Sequence, residues 1–204
     1  MLNETDRPSR AGGSARRLWL RGLLAAALAP LLPRRAWAQA SVSVMSAVLE
    51  VRDNPDPGLY LNAQFEFDLS PAIEDAIRHG VPVYFAIDCE LVRTRWYWFA
   101  RRLVLATLAY RLSYSPLTRQ FRLSRGMLAQ PFDTLAEALA TVRNVRGWRV
   151  ADRSAAESPE HLVARVRLRL DTTMLPKPFQ VDSLTNHDWA LTSDWQPVRI
   201  GGAS

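Results

Sequence analysis

Along most of the chain from Val42 to Ile200, apolar residues fall at every second position, the spacing of strands that bury one face. Leu59, Leu61, Ala63, Phe65 and Phe67 alternate with Tyr60, Asn62, Gln64, Glu66 and Asp68. Val42 to Arg52 carries the same period. The turn-forming run Asn54-Pro55-Asp56-Pro57-Gly58 between the two predicts a hairpin. Ser70-Pro71 then opens a short helix, serine as N-cap and proline in its first turn, with Ile73, Ala76 and Ile77 as its apolar stripe and Gly80 as its end. From Val81 to Val92 a strand sets Val83, Phe85, Ile87, Cys89 and Leu91 against Tyr84, Asp88 and Glu90. Leu103 to Tyr114 is a further strand, turned by Ser115-Pro116-Leu117 into Arg119 to Ser124.

Thr134 with Glu137 three residues on forms a capping box, and Leu135, Leu139 and Val142 line the helix it starts. A short strand at Trp148 to Val150 follows Gly147, and Asp152 to Pro159 reads as a polar connector. Between His161 and Asp171 the alternation is clean: Leu162, Ala164, Val166, Leu168 and Leu170 point inward, and Val163, Arg165, Arg167 and Arg169 outward. Leu175-Pro176-Lys177-Pro178-Phe179 predicts a chain break, and Trp189 to Ile200 a last strand with Trp189, Leu191 and Trp195 on one side. Strands outnumber helices and hairpins recur. The expected class is strand-rich α+β, a mainly antiparallel sheet or β-sandwich with two or three short helices. With no repeat, low-complexity tract or linker, residues 39–204 read as a single globular domain.

The first 38 residues do not fit this pattern. Arg16, Arg17 and Arg21 precede a 12-residue apolar run, Gly22 to Pro33, and Ala36-Trp37-Ala38 follows. That order is a cleavable export signal, and the run is short against the roughly 20 residues of a membrane-spanning helix. The expected location is periplasmic, with cleavage near Ala38. Arg16-Arg17-Leu18-Trp19-Leu20 resembles a twin-arginine address, and both the Sec and twin-arginine routes stay open. The chain carries a formal +6, but its first 38 residues hold seven arginines against two acids, so residues 39–204 hold only +1. A nucleic-acid binder would need a strong basic excess there, so no nucleic acid is expected as partner.

The chemistry-bearing residues are few. His79, His161 and His187 are scattered, and Cys89 stands alone, so no metal or cofactor site is expected. Cys89, inside an apolar strand pattern, reads as a buried, inert thiol. Asp88 and Glu90 share one strand face about 6.5–7 Å apart, within the range of an inverting glycosidase pair. Such a pair is more simply a solvated face balanced by neighbours such as Arg93 and Arg95. Arg165, Arg167 and Arg169 form a ladder suited to phosphates, carboxylates or an acidic partner edge. Arg95, Trp96, Tyr97, Trp98 and Phe99 form an aromatic and basic belt of the kind enriched in binding patches. An alternating edge strand protected by arginine and a core tryptophan pair account for the same residues structurally.

Several long phrases occur together: LYLNAQFEFDLSPAIEDAIRHGVPVYF (Leu59–Phe85), RWYWF (Arg95–Phe99), YRLSYSPLTRQFRLS (Tyr110–Ser124), RGWRV (Arg146–Val150) and LPKPFQVDSLTNHDWALTSDW (Leu175–Trp195). In these the chain resembles the DUF4390 family of exported proteobacterial proteins. The resemblance brings no reaction, ligand or site residues, and its only pointer is associational, toward envelope sensing. The expected function is a non-enzymatic exported factor binding an envelope protein or ligand. Its rivals are a periplasmic hydrolase using Asp88 and Glu90, and a carrier of an amphipathic or anionic envelope ligand.

Overall fold

The computed structural model describes residues 42–94, 100–156 and 162–201. Nine strands form one sheet, β1 (Ser43–Arg52), β2 (Gly58–Glu66), β3 (Val83–Thr94), β4 (Ala100–Ser115), β5 (Gln120–Arg125), β6 (Leu128–Phe132), β7 (Asn144–Ala151), β8 (Leu162–Leu170) and β9 (Gln196–Gly201). Their order across the sheet is β6-β5-β4-β3-β8-β9-β1-β2-β7. Every pairing is antiparallel except β1 with β9. The strand-rich α+β class is therefore realised as one mixed sheet. The short β9 lies between the first strand and β8, and it supplies the hydrogen bonds that join the two halves of the sheet.

The sheet curls, so one face becomes a shared interior. Leu49, Leu61, Phe65, Phe85, Ile87, Leu91, Leu112 and Leu168 are fully buried there, as the period of two demands. Three helices serve that interior. In α1 (Pro71–Arg78) the Ser70 hydroxyl accepts from the Ile73 N–H at 3.3 Å and donates to the Asp188 carbonyl at 2.6 Å, so one side chain both caps the helix and fastens the later chain to it. In α2 (Leu135–Arg143) the Thr134 hydroxyl accepts from the Glu137 N–H at 3.2 Å. Leu135, Ala138, Leu139 and Val142 go inward, and α2 touches β2 and β7 on one side and β5 and β6 on the other. It thus bridges the two edges of the curled sheet. Arg143 secures its end by donating to the Phe67 carbonyl while lying over the Phe67 ring.

The structure departs from the sequence reading in several places. Leu175 to Phe179 does not simply break the chain, because α3 occupies Lys177–Thr185, started by Pro176 and Pro178 and burying no residue fully. Trp189 to Ile200 is not one strand. A 3-10 turn (His187–Trp189) puts Trp189 and Leu191 in the core, and the strand begins only at Gln196. Asp152 to Pro159 contains a 3-10 turn at Arg153–Ala156. Strand β6 had no sequence counterpart, since its residues are nearly all exposed and show no alternation. Strand β7 is longer than Trp148–Val150 because Gly147, at φ 57°, lets it bulge where the register with β2 shifts.

Candidate functional site

The sheet's other face carries the polar chemistry. On β3 the residues out of phase with the core are Tyr84, Ala86, Asp88 and Glu90, and the register sets the β8 arginines directly beside them. Arg169 faces Ala86, Arg167 faces Asp88, and Arg165 faces Glu90. Asp88 accepts from Arg167 Nε at 2.9 Å and Arg169 Nε at 3.0 Å on one oxygen, and from the Thr107 hydroxyl at 2.8 Å on the other. Glu90 accepts from Arg165 Nε at 2.5 Å. Arg169 also reaches Asp171 at 3.4 Å. The Trp195 ring lies 5.2 Å from the Arg165 guanidinium and 4.5 Å from that of Arg167.

Asp88 and Glu90 are therefore not a solvated pair. Their side chains are 3% and 2% exposed, whereas the arginines over them keep 29–43%. Arginines of β8 supply cations to both acids, so the acid pair and the arginine ladder are one network. Trp195 belongs to it as well, on the face opposite Trp189 and Leu191. Burial pushes the Asp88 carboxyl up, but the Thr107, Arg169 and Arg167 contacts outweigh that and hold it below the ordinary carboxylate range. A hydrolytic pair needs one carboxyl that stays protonated near neutrality and one that approaches substrate. Asp88, ionised and covered by guanidinium groups, meets neither need.

Beside this network the outer face dips. Ala86 of β3 pairs with Ala109 of β4, between the larger pairs Tyr84 with Arg111 and Asp88 with Thr107. Two methyl groups between long side chains leave a groove of about 360 Å³, bounded also by Ser124, Asp171 and Met174. A second cleft of about 520 Å³ opens where β3 and β4 approach β7, lined by Arg93, Leu103, Val104, Val150, Asp152 and Ala155. The Arg93 Nε is buried there without a hydrogen-bond partner among the described residues. This is the end of the β3–β4 hairpin that leads into the aromatic belt. Arg95, Trp96, Tyr97, Trp98 and Phe99, like His161 and residues 1–38 with the expected export signal, lie outside the described residues.

Residues 39–199, nearly all of the described sheet, match the family described as a domain of unknown function, DUF4390. The chain belongs to the DUF4390 family. No curated protein and no solved structure matches it. Within this DUF4390 domain, Cys89 sits fully buried on β3 with its thiol pushed up to about 12 by burial, which removes it as a nucleophile at neutral pH. His79 ends α1 as its C-cap, its ring bonded to the Asp75 carbonyl. Among the described residues no three His, Cys, Asp or Glu gather as metal ligands, and no helix is long and apolar enough to cross a membrane. The groove and Arg111 were not foreseen from the sequence. Ala86 and Ala109 are ordinary strand residues until the register brings them together.

Proposed function

We propose that this DUF4390 chain is an exported, non-enzymatic binding protein of the cell envelope, an accessory factor to envelope sensing or maintenance, with the Ala86–Ala109 groove as its binding seat. The observation that carries this reading is the groove itself, a concave, largely apolar slot of ligand size on an otherwise charged sheet face. The neighbouring network supports it. Arg165, Arg167 and Arg169 are tied to Asp88, Glu90 and Trp195, so their part is to hold the groove's wall rigid rather than to seize a partner alone. The basic, apolar and small-x-small segments of residues 1–38 supply the route to the periplasm.

The test is retention. Protein purified under mild conditions from the envelope fraction is compared with an Ala109→Trp variant by native mass spectrometry. Ala109 is exposed, so the bulkier ring fills the groove while leaving the core alone. A species held by the natural protein and lost from the variant is the expected result. If the natural protein holds nothing, or both hold the same species equally, the groove is not the seat. Fusing residues 1–40 to a reporter and changing Arg16 and Arg17 to Lys separates the export routes, since undiminished export excludes the twin-arginine one.

A further inference from the structure

The groove's charges are unevenly neutralised. Of the ionic groups on its border, Asp171 is held by Arg169 at 3.4 Å and by the Thr173 hydroxyl at 2.6 Å. Asp88, beneath the next pair, is covered by Arg167 and Arg169. Arg111 is different. It stands on the exposed outer face of β4, opposite Tyr84 on β3 and Ser124 on β5, and forms no ion pair with any described residue. Arg122 follows on β5, at the register position opposite Ser113, and it too forms no ion pair. The acids that reach this corner are therefore satisfied, while its guanidinium groups are not.

The apolar lining of the groove includes Ala86, Ala109 and Met174, the last of them 56% exposed. A thioether with three rotatable bonds adapts to whatever lies against it. At about 360 Å³ the slot is near the small end of ligand pockets, which run from about 300 to 1,000 Å³. That volume suits one chain or ring rather than two. An unpaired guanidinium beside hydroxyl groups, next to a mostly apolar slot whose carboxylate, Asp171, is already held by Arg169 and Thr173, complements one kind of molecule.

We propose that the groove binds a single-chain anionic amphipath, its carboxylate or phosphate head on Arg111 with Ser124 and Tyr84, and its chain against the apolar lining of Ala86, Ala109 and Met174. The inference rests on the groove being the binding seat and adds the chemistry of what sits there.

Displacement of 1-anilinonaphthalene-8-sulfonate from the purified protein tests it, with dodecanoate, dodecyl phosphate, dodecyltrimethylammonium and dodecyl maltoside each below micelle formation. Dodecanoate and dodecyl phosphate should displace the dye saturably, and whichever is stronger identifies the head as carboxylate or phosphate. The cationic and neutral chains should be at least about tenfold weaker, the scale of one charge-assisted contact. Arg111→Gln should weaken both anions by about tenfold while leaving the dodecyl maltoside response unchanged, and Arg111→Lys should restore most of the loss. Arg199→Gln, a strand arginine away from the groove, is the control and should change nothing. Equal displacement by all four chains, or anion affinity indifferent to Arg111→Gln, overturns the proposal. So does a natural protein that ignores dodecanoate and dodecyl phosphate while Ala109→Trp still strips a bound peptide from the envelope-purified form; in that case the binding seat stands and only the ligand class falls. Circular dichroism melts of each variant confirm that a lost response is not lost structure.

Discussion

Two outer faces of this sheet use the same kinds of side chain to different ends. On β3 and β8, Asp88 and Glu90 lie under Arg165, Arg167 and Arg169, with Trp195 against two of the guanidinium groups. On β1 and β2, Glu50 pairs with Arg52 at 2.7 Å and accepts from Asn62 at 2.8 Å, and Arg52 lies 4.4 Å from the Tyr60 ring. Each region has carboxylates, arginines and an aromatic. The difference is water. The Glu50 and Arg52 side chains are 35% and 39% exposed, but the carboxylates on β3 are almost wholly removed from solvent. A buried charge must keep its partners, since a lost partner leaves desolvation unmatched, whereas an exposed pair trades with water and salt at little net change. One region is thus structural necessity and the other decoration, although a list of ion pairs would score them alike.

The largest effect should come from severing the regions. Val198 is buried on β9, the strand that links the two halves, and Val198→Asp should destabilise by about 3 kcal/mol or more through an unpaired buried charge. Urea unfolding checks this, and two separate transitions would show the halves holding independently. Next comes the contrast itself. Asp88→Asn should cost about 2–3 kcal/mol, somewhat below a fully buried pair because Arg167 and Arg169 keep access to water. Glu50→Gln should cost no more than about 1 kcal/mol. Equal losses for the two would end the distinction drawn above.

Acid sharpens the same contrast. Because Asp88 titrates lower in the fold than in the unfolded chain, its pairs stabilise fully above the unfolded carboxyl value of about 3.9. That stabilisation is lost as pH falls below this value and through the folded one. Melting temperature measured between pH 5 and 2 should therefore fall more steeply for the natural protein than for Asp88→Asn, and parallel curves would show that Asp88 is not the group responsible. The smallest effects concern the rings. Trp195→Ala should lose about 1–2 kcal/mol, from two cation–π contacts and some buried area. Tyr60→Phe, which removes a 2.7 Å bond to a largely exposed Asp56, should lose about 0.5–1 kcal/mol. Thermal melts of the two variants side by side would rank them.

What the sequence conveyed and what it withheld follow from the range of the interactions. Alternation at Leu59–Phe67 and Leu162–Leu170, and the caps at Ser70 and Thr134, are local signals, and each reappears in the structure. The partners of Asp88 were invisible because they lie 79 and 81 residues away on a strand whose register nothing local sets. The same ignorance of register hid the groove, which exists only because Ala86 meets Ala109. Trp195 resembled a core residue because it was counted in phase with Trp189 and Leu191, although the chain leaves extended geometry between them. Helix α3 escaped notice because it has no apolar stripe and two nearby prolines suggested an interruption.

The place of β9 has a consequence for the order of events at birth. A ribosome delivers β1 and β2 first and the strands of the other half later, and neighbours such as β3 and β4 can pair as they emerge. The two halves can be sewn together only when residues 196–201 arrive, more than 140 positions after the β1 strand they join. Until then β1 presents a bare edge, open to any other strand in reach. The last few residues of this sheet therefore act as its clasp, and the nascent chain has most reason to be chaperoned just before they appear.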